Sequence, residues 1–222
     1  MSFKYFKGVC LAIIMASTTQ AFGQAQTVSQ PTDKTPLCYG IVVDSSGSLR
    51  SEFKYVIGTA RYIVNANEQT DQTFAISFVD RDQIETVRDF TQDKASLIAD
   101  LGQIYPRGGQ TALIDALYLA AKHLSEVKTT CRKTLVVITD GDDRDSYYKA
   151  DQLFSLLHEN NVRVFVVGMV KQLKKDRGEK TYERAVNLLN KLASETGGQA
   201  YFPQNVADLE RAANNVIDNI HK

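Results

Sequence analysis

From residue 37 to residue 220, short runs of consecutive apolar residues alternate with stretches whose apolar positions recur every three or four residues. Residues 37–43 (LCYGIVV) form one such run, and further runs lie in TLVVITDGDD and at residues 162–169. Nearly continuous apolarity that stops at polar or acidic residues is the pattern of a central parallel strand covered on both faces. Between these runs, residues 51–65 place Phe53, Val56, Ile57, Ala60, Ile63 and Val64 on one helical face. Leu113, Ala116, Leu117, Ala120, Ala121 and Leu124 make a second stripe of the same kind. Helices are also predicted over 94–104, 150–157, 182–195 and 206–220, with a short strand over 199–202. Residues 73–79 and 84–90 read as two strands joined into a hairpin by the polar turn Asp80-Arg81-Asp82-Gln83. The charged segment 171–180 (KQLKKDRGEK) reads as a solvated loop.

Strands alternating with helices predict an α/β fold: a doubly wound, mainly parallel central sheet with helices on both faces and one antiparallel edge strand. The chain has 222 residues, 43% of them hydrophobic, which supplies one well-buried core and favours a single domain, placed at 37–222. Ahead of it, Lys4 and Lys7 precede an apolar run and then small residues at Ala21, Gly23 and Ala25, the layout of a cleavable secretory signal over 1–23. The run is shorter than the roughly 20 residues that span a bilayer, so no stable membrane insertion is expected after cleavage. Residues 24–36 (QAQTVSQPTDKTP) carry two prolines and no periodicity, and read as a linker. The expected location is secreted or periplasmic.

The 26 basic and 26 acidic residues show no basic field, which argues against a nucleic-acid partner. Loss of the signal, with Cys10 in it, leaves 24 basic and 26 acidic residues and two cysteines, Cys38 and Cys131. Export permits a disulfide between them. Cys38 stands six residues before Asp44 and Cys131 nine before Asp140. In neighbouring strands that offset is about 10 Å, so a bridge requires Cys131 to fold back, and two separate thiols are the alternative.

Ligands of doubly wound sheets sit at the carboxyl ends of the strands, near the switch in strand order. Asp44 and Asp140 both follow apolar runs at such ends. In the segment Asp44-Ser45-Ser46-Gly47-Ser48 the alternate side chains of Asp44, Ser46 and Ser48 can turn inward, with Gly47 allowing a tight backbone. Thr111 lies near the start of the helix in GGQTALIDALYLAAKHL. Carboxylates and hydroxyls without His or Cys suit a hard cation such as magnesium. Taken singly, Ser46, Ser48 and Thr111 also read as helix caps. Asp142, Asp143 and Asp145 read as loop-surface acids, because a calcium loop begun at Asp140 would carry Arg144 at its fifth position and no glycine at its sixth.

Together, Asp44-Ser45-Ser46-Gly47-Ser48, Thr111 in GGQTALIDAL and Asp140 in VVITDGDD resemble the von Willebrand factor type A domain and its metal-ion-dependent adhesion site. The resemblance covers residue 37 to the C-terminus. It implies that Ser46 and Ser48 coordinate the metal directly, and that Asp44, Thr111 and Asp140 bind directly or through water. The implied cofactor is Mg2+, with Mn2+ or Ca2+ as substitutes. The implied partner is a protein that offers a Glu or Asp carboxylate to the metal, with movement of the last helix, 206–220, coupled to binding. The function so implied is metal-dependent protein binding or adhesion without catalysis.

Other classes fit less well. A metal-dependent phosphohydrolase would use Asp44 and Asp140, but position 46 carries no second acid and the crevice loops no obvious lysine. A serine hydrolase lacks the G-x-S-x-G elbow around Ser46, and His123, His158 and His221 lie in or after helical patterns as ordinary surface or cap residues. A metal-stabilised scaffold of an envelope assembly is the remaining alternative.

Overall fold

The computed structural model describes residues 35–222. The expected signal peptide and all but the last two residues of the expected linker lie outside the described residues. The elements run β1 (Leu37–Asp44), α1 (Phe53–Asn65), β2 (Gln72–Phe78), β3 (Ile84–Thr91), α2 (Lys94–Leu101), α3 (Leu113–Ser125) and β4 (Arg132–Thr139). They continue with α4 (Ala150–Glu159), β5 (Arg163–Gly168), α5 (Lys171–Arg177), α6 (Glu179–Glu195), β6 (Ala200–Tyr201) and α7 (Val206–Ile220). Among the described residues no helix is long and apolar enough to cross a membrane.

The strands form a sheet in the order β3-β2-β1-β4-β5-β6, with β3 antiparallel to β2 and the remaining neighbours parallel. This is the expected doubly wound architecture. Every residue of β1 is buried, because β1 is paired on both edges and covered on both faces. Successive side chains point to opposite faces, and the core divides accordingly. Tyr39, Ile41 and Val43 pack in one cluster with α1, α2 and α7, whereas Cys38 and Val42 pack in the other with α3, α4 and α6. Strand order reverses between β1 and β4, so the loops that follow these two strands flank the crevice where the two helical layers part.

The β1–β4 ladder pairs Val43 with Ile138, which sets Asp44 opposite Thr139. Relative to an alignment of the two aspartates, this is a slip of one residue. It reduces the cysteine offset from three positions to two, since Lys133 is the register partner of Cys38. Cys38 and Cys131 are disulfide-bonded, with Cα atoms 5.7 Å apart. Two extended residues span about 6.6 Å, and the strand spacing adds to that. The chain ahead of β4 therefore turns in toward β1, where the Arg132 amide donates to the Pro36 carbonyl at 2.8 Å.

One expectation is corrected and one is made specific. Residues 171–177 form helix α5 rather than a loop: Lys, Gln, Leu and Arg are good helix formers, and buried Leu173 anchors the turn to the core. Gly178, at φ 82°, then breaks the chain before α6. His221 is the C-cap of α7, one of the two roles expected of it, and is largely buried. Its Nε2 donates to the buried Asp71 at 2.9 Å and its Nδ1 to the Ile217 carbonyl at 2.9 Å. With acceptors at both ring nitrogens the imidazolium is favoured, so its pKa is raised, chiefly by Asp71, and the end of α7 is pinned to the start of β2.

The disulfide closes a segment of 93 residues that contains β1 to α3. Replacing both cysteines by serine is expected to lower stability by about 2–4 kcal/mol. Urea unfolding of the two forms measures the difference, and an unchanged midpoint would show that the bond adds nothing beyond the packed sheet.

Candidate metal centre

Asp44 is the last residue of β1, and both of its oxygens are held. Oδ1 accepts the Ser46 amide at 2.9 Å, and Oδ2 accepts the Thr139 hydroxyl at 2.6 Å. Thr139 in turn accepts the Gly141 amide at 3.0 Å, so this one hydroxyl joins the ends of β1 and β4. Asp140 Oδ1 accepts the Asp142 amide at 3.0 Å. The Ser46 and Ser48 hydroxyls are hydrogen-bonded to each other at 3.0 Å, and they sit close enough to the aspartates for Ser46 to lower the Asp44 pKa and Ser48 that of Asp140. Asp44, Ser46, Ser48 and Asp140 are thus brought into one cluster.

Ser46 precedes a 3₁₀ turn, Gly47–Leu49, yet its side chain caps nothing. Thr111 does not cap α3 either, since Ala112 occupies that position and no side-chain cap bond is made. The Thr111 backbone carbonyl accepts the amides of Arg144 and Asp145 at 2.8 and 3.1 Å, which ties the Thr111 loop to the loop after β4. Its hydroxyl is fully buried and has no hydrogen-bond partner. A buried hydroxyl in that condition costs free energy unless another group satisfies it. The capping roles are therefore not taken up by Ser46 or Thr111.

Burial and mutual repulsion push the Asp44 carboxyl up to about 7, with desolvation the larger cause and Asp140 the next. Desolvation likewise raises Asp140. Two buried carboxylates side by side without a cation are electrostatically unfavourable, and a cation there would relieve both costs. Among the described residues no group of three or more His, Cys, Asp or Glu side chains is placed to hold a metal. Any cation at Asp44 and Asp140 is left to hydroxyls and water for its other ligands, which are the hard donors that Mg2+ prefers.

Gly47 is not required for a tight backbone: its φ is not positive and a Cβ there would meet only ordinary contacts. The glycines the loops need are Gly109, at φ 147° and packed on Val79 and Asp80, and Gly141, at φ 77° and packed on Leu189. Of the three acids expected at the loop surface, Asp145 lies there, whereas Asp142 is buried and Asp143 half-buried. Asp142 is buried and paired with Arg144 at 3.2 Å and Arg177 at 4.0 Å. Asp143 accepts the Ile114 amide and the Ser146 hydroxyl, and Asp145 pairs with Arg81 at 2.7 Å. All three brace the loop that follows β4. Sequence reading also missed Thr139, whose signal is a hydroxyl at the last position of an otherwise apolar run. A cavity of about 300 Å³ opens at the cluster, and Ser48, Asp140, Arg144, Asp176 and Arg177 are among the residues that line it.

A family model of the von Willebrand factor type A domain matches residues 40–215. Solved structures with the same fold include an aerotolerance-related membrane protein from Bacteroides fragilis, 20% identical with a TM-score of 0.63, the match covering 82% of this chain and 99% of that one. BatB from Bacteroides thetaiotaomicron is 19% identical with a TM-score of 0.63, over 83% of this chain and 98% of that one. The pilus adhesin SpaC from Lactobacillus rhamnosus GG is 12% identical with a TM-score of 0.68, over 85% of this chain and 30% of that one. At these identities the likeness establishes the fold alone. A search of curated proteins returned no match.

Two outcomes are expected of the metal-free protein. Thr111→Val removes an unpartnered buried hydroxyl and should raise stability by about 1 kcal/mol in urea unfolding with chelator present; a loss would mean the hydroxyl is already bonded. The raised Asp44 makes the folded state hold a proton that the unfolded chain releases, so stability should fall as pH rises from about 4 through about 7. His221, raised by Asp71, acts in the same direction, its contribution being lost as pH climbs past its folded value. Asp44→Asn should flatten the profile while leaving the histidine's part, and an unaltered profile would remove Asp44 as its source.

Proposed function

This chain belongs to the von Willebrand factor type A domain family, and we propose that it is an exported module for divalent-metal-dependent protein binding or adhesion. Asp44, Ser46, Ser48, Thr111 and Asp140 hold Mg2+, as the metal-ion-dependent adhesion site of the family does, with Mn2+ or Ca2+ as substitutes. The observation that carries this reading is the Thr111 hydroxyl, fully buried and unpartnered in a loop tied to the one that bears Asp140. Further support comes from the Ser46 and Ser48 hydroxyls, which lie 3.0 Å apart beside the two aspartates and present oxygen donors to the same point.

When bound, the metal supplies a Lewis-acidic position that accepts an oxygen ligand from outside. The protein's own groups do the rest. Thr139 and the Ser46 amide fix the Asp44 carboxylate before any cation arrives, which reduces the ordering cost of binding. Two carboxylates neutralise a divalent charge without saturating it, so a Glu or Asp side chain of a partner completes the set. Arg144 and Arg177 line the same cavity as Ser48 and Asp140 and favour the approach of such an acid. The module acts by binding and not by catalysis.

Calorimetric titration of the chelator-stripped protein with Mg2+ and Mn2+ tests the site. Binding is expected in the parent, with at least a tenfold loss in Thr111→Val and abolition in an Asp44→Ala, Ser46→Ala variant. Equal binding in parent and variants would refute the assignment. Capture of an envelope partner that is lost on adding EDTA, and lost equally when the acid of that partner is neutralised, tests the bridging role.

A further inference from the structure

At the opposite end of the sheet from the aspartate cluster, the segments leading into β4 and β5 line an open hollow of about 530 Å³. Its wall includes Thr129, Thr130, Arg132, Lys133, Asn160 and Arg163, and no acidic residue lines it. Such a volume lies within the roughly 300–1,000 Å³ of small-molecule sites. Arg132, Lys133 and Arg163 are half-buried, so these cations are not freely solvated chains. Among the described residues none of the three forms an ion pair.

The guanidiniums spend only part of their donor capacity. Arg132 donates one bond to the Thr35 carbonyl at 3.3 Å, and Arg163 donates to the carbonyls of Asn219 and Ile220 at 3.4 and 3.1 Å. Each has five N–H donors, so several remain for a ligand. Arg132 also repels Arg163, adding to the desolvation that lowers the Arg163 pKa. The C-terminal carbonyls of α7 offset part of the Arg163 charge, whereas no acidic side chain lines the hollow against Arg132 and Lys133.

We propose that this hollow is an oxyanion site, which takes the phosphate or carboxylate of a small hydroxylated anion such as a sugar phosphate or sugar acid. Arg132 and Arg163 receive the oxyanion in their planar forks, a geometry that Lys does not reproduce. Lys133, on the opposite face of β4 by the alternation of the strand, lines the rim of the hollow and adds only a longer-range charge. The side chains of Thr129, Thr130, Asn160 and Asn161, which line the remaining wall, supply donors and acceptors for hydroxyl groups. The site requires no metal and is independent of the aspartate cluster.

Titration of the full chain with glucose 6-phosphate, glucuronate and inorganic phosphate, followed by amide NMR shifts in EDTA, tests the proposal. Saturable shifts are expected at residues 129–133 and 160–163 with at least one sugar anion, weakening as salt is added. The sugar phosphate and the sugar acid distinguish which oxyanion is preferred, and neutral glucose should leave the spectrum unchanged. Arg132→Gln should weaken binding at least tenfold, and Arg163→Lys, which keeps the charge but not the fork, should also weaken it. Arg132→Gln leaves the Arg163 bonds to α7 in place, so its effect is not one of misfolding. No saturable shift with either sugar anion, shifts with inorganic phosphate alone, or binding that survives Arg132→Gln would overturn the site.

Discussion

The pairing of β1 on both of its edges is the constraint on which the remaining structure depends. A strand buried on every side must be apolar along its length, and it must end where polar chain can leave the core. Asp44 is that end. Because β2 lies on one side and β4 on the other, the right-handed crossovers that connect parallel strands carry successive helices to opposite faces of the sheet. The layers separate at the β1–β4 boundary, and the loops there have space to gather polar side chains. The hydroxyl cluster is thus a product of the winding, with the chemistry added by the residues that happen to end these two strands.

The electrostatics of the cluster explain why it is braced so heavily. Two carboxylates buried within one crevice repel each other and would drive the loops apart. Thr139 holds Asp44, the loop amides hold both aspartates, and Asp142, Asp143 and Asp145 fasten the loop after β4 to α3, Arg81 and Arg177. Acids that look redundant along the chain are in fact the supports of the two that face the crevice. Rigidity here keeps donors spaced before a ligand is present, as pre-organised sites require.

Much of this was legible in the sequence, since buried parallel strands and amphipathic helices leave strong patterns. The helix over 206–220 matches α7 at both ends, and the hairpin of β2 and β3 supplies the one antiparallel pair. What escaped depends on tertiary context. Helix α5 is mostly charged, and a single buried leucine decides its state, so no periodic stripe announces it. The β1–β4 register is set by packing across the sheet, and nothing local to either strand specifies that Asp44 should face Thr139. Gly47 stood in the motif and drew the conformational argument, while Gly109 and Gly141 carry it, because positive φ is a property of the folded loop.

The position of the disulfide has a mechanical consequence. Cys38 is the second residue of β1, and its partner stands just ahead of β4. Tension on the chain ahead of Leu37 therefore reaches a covalent cross-link almost as soon as it reaches the sheet. The load passes into β4 as well as β1, and seven-pair ladders on both edges of β1 resist it in shear instead of opening one bond at a time. A domain anchored by its N-terminal side and gripped at the far end of the sheet is held along the strand axis, the direction in which a parallel sheet is strongest.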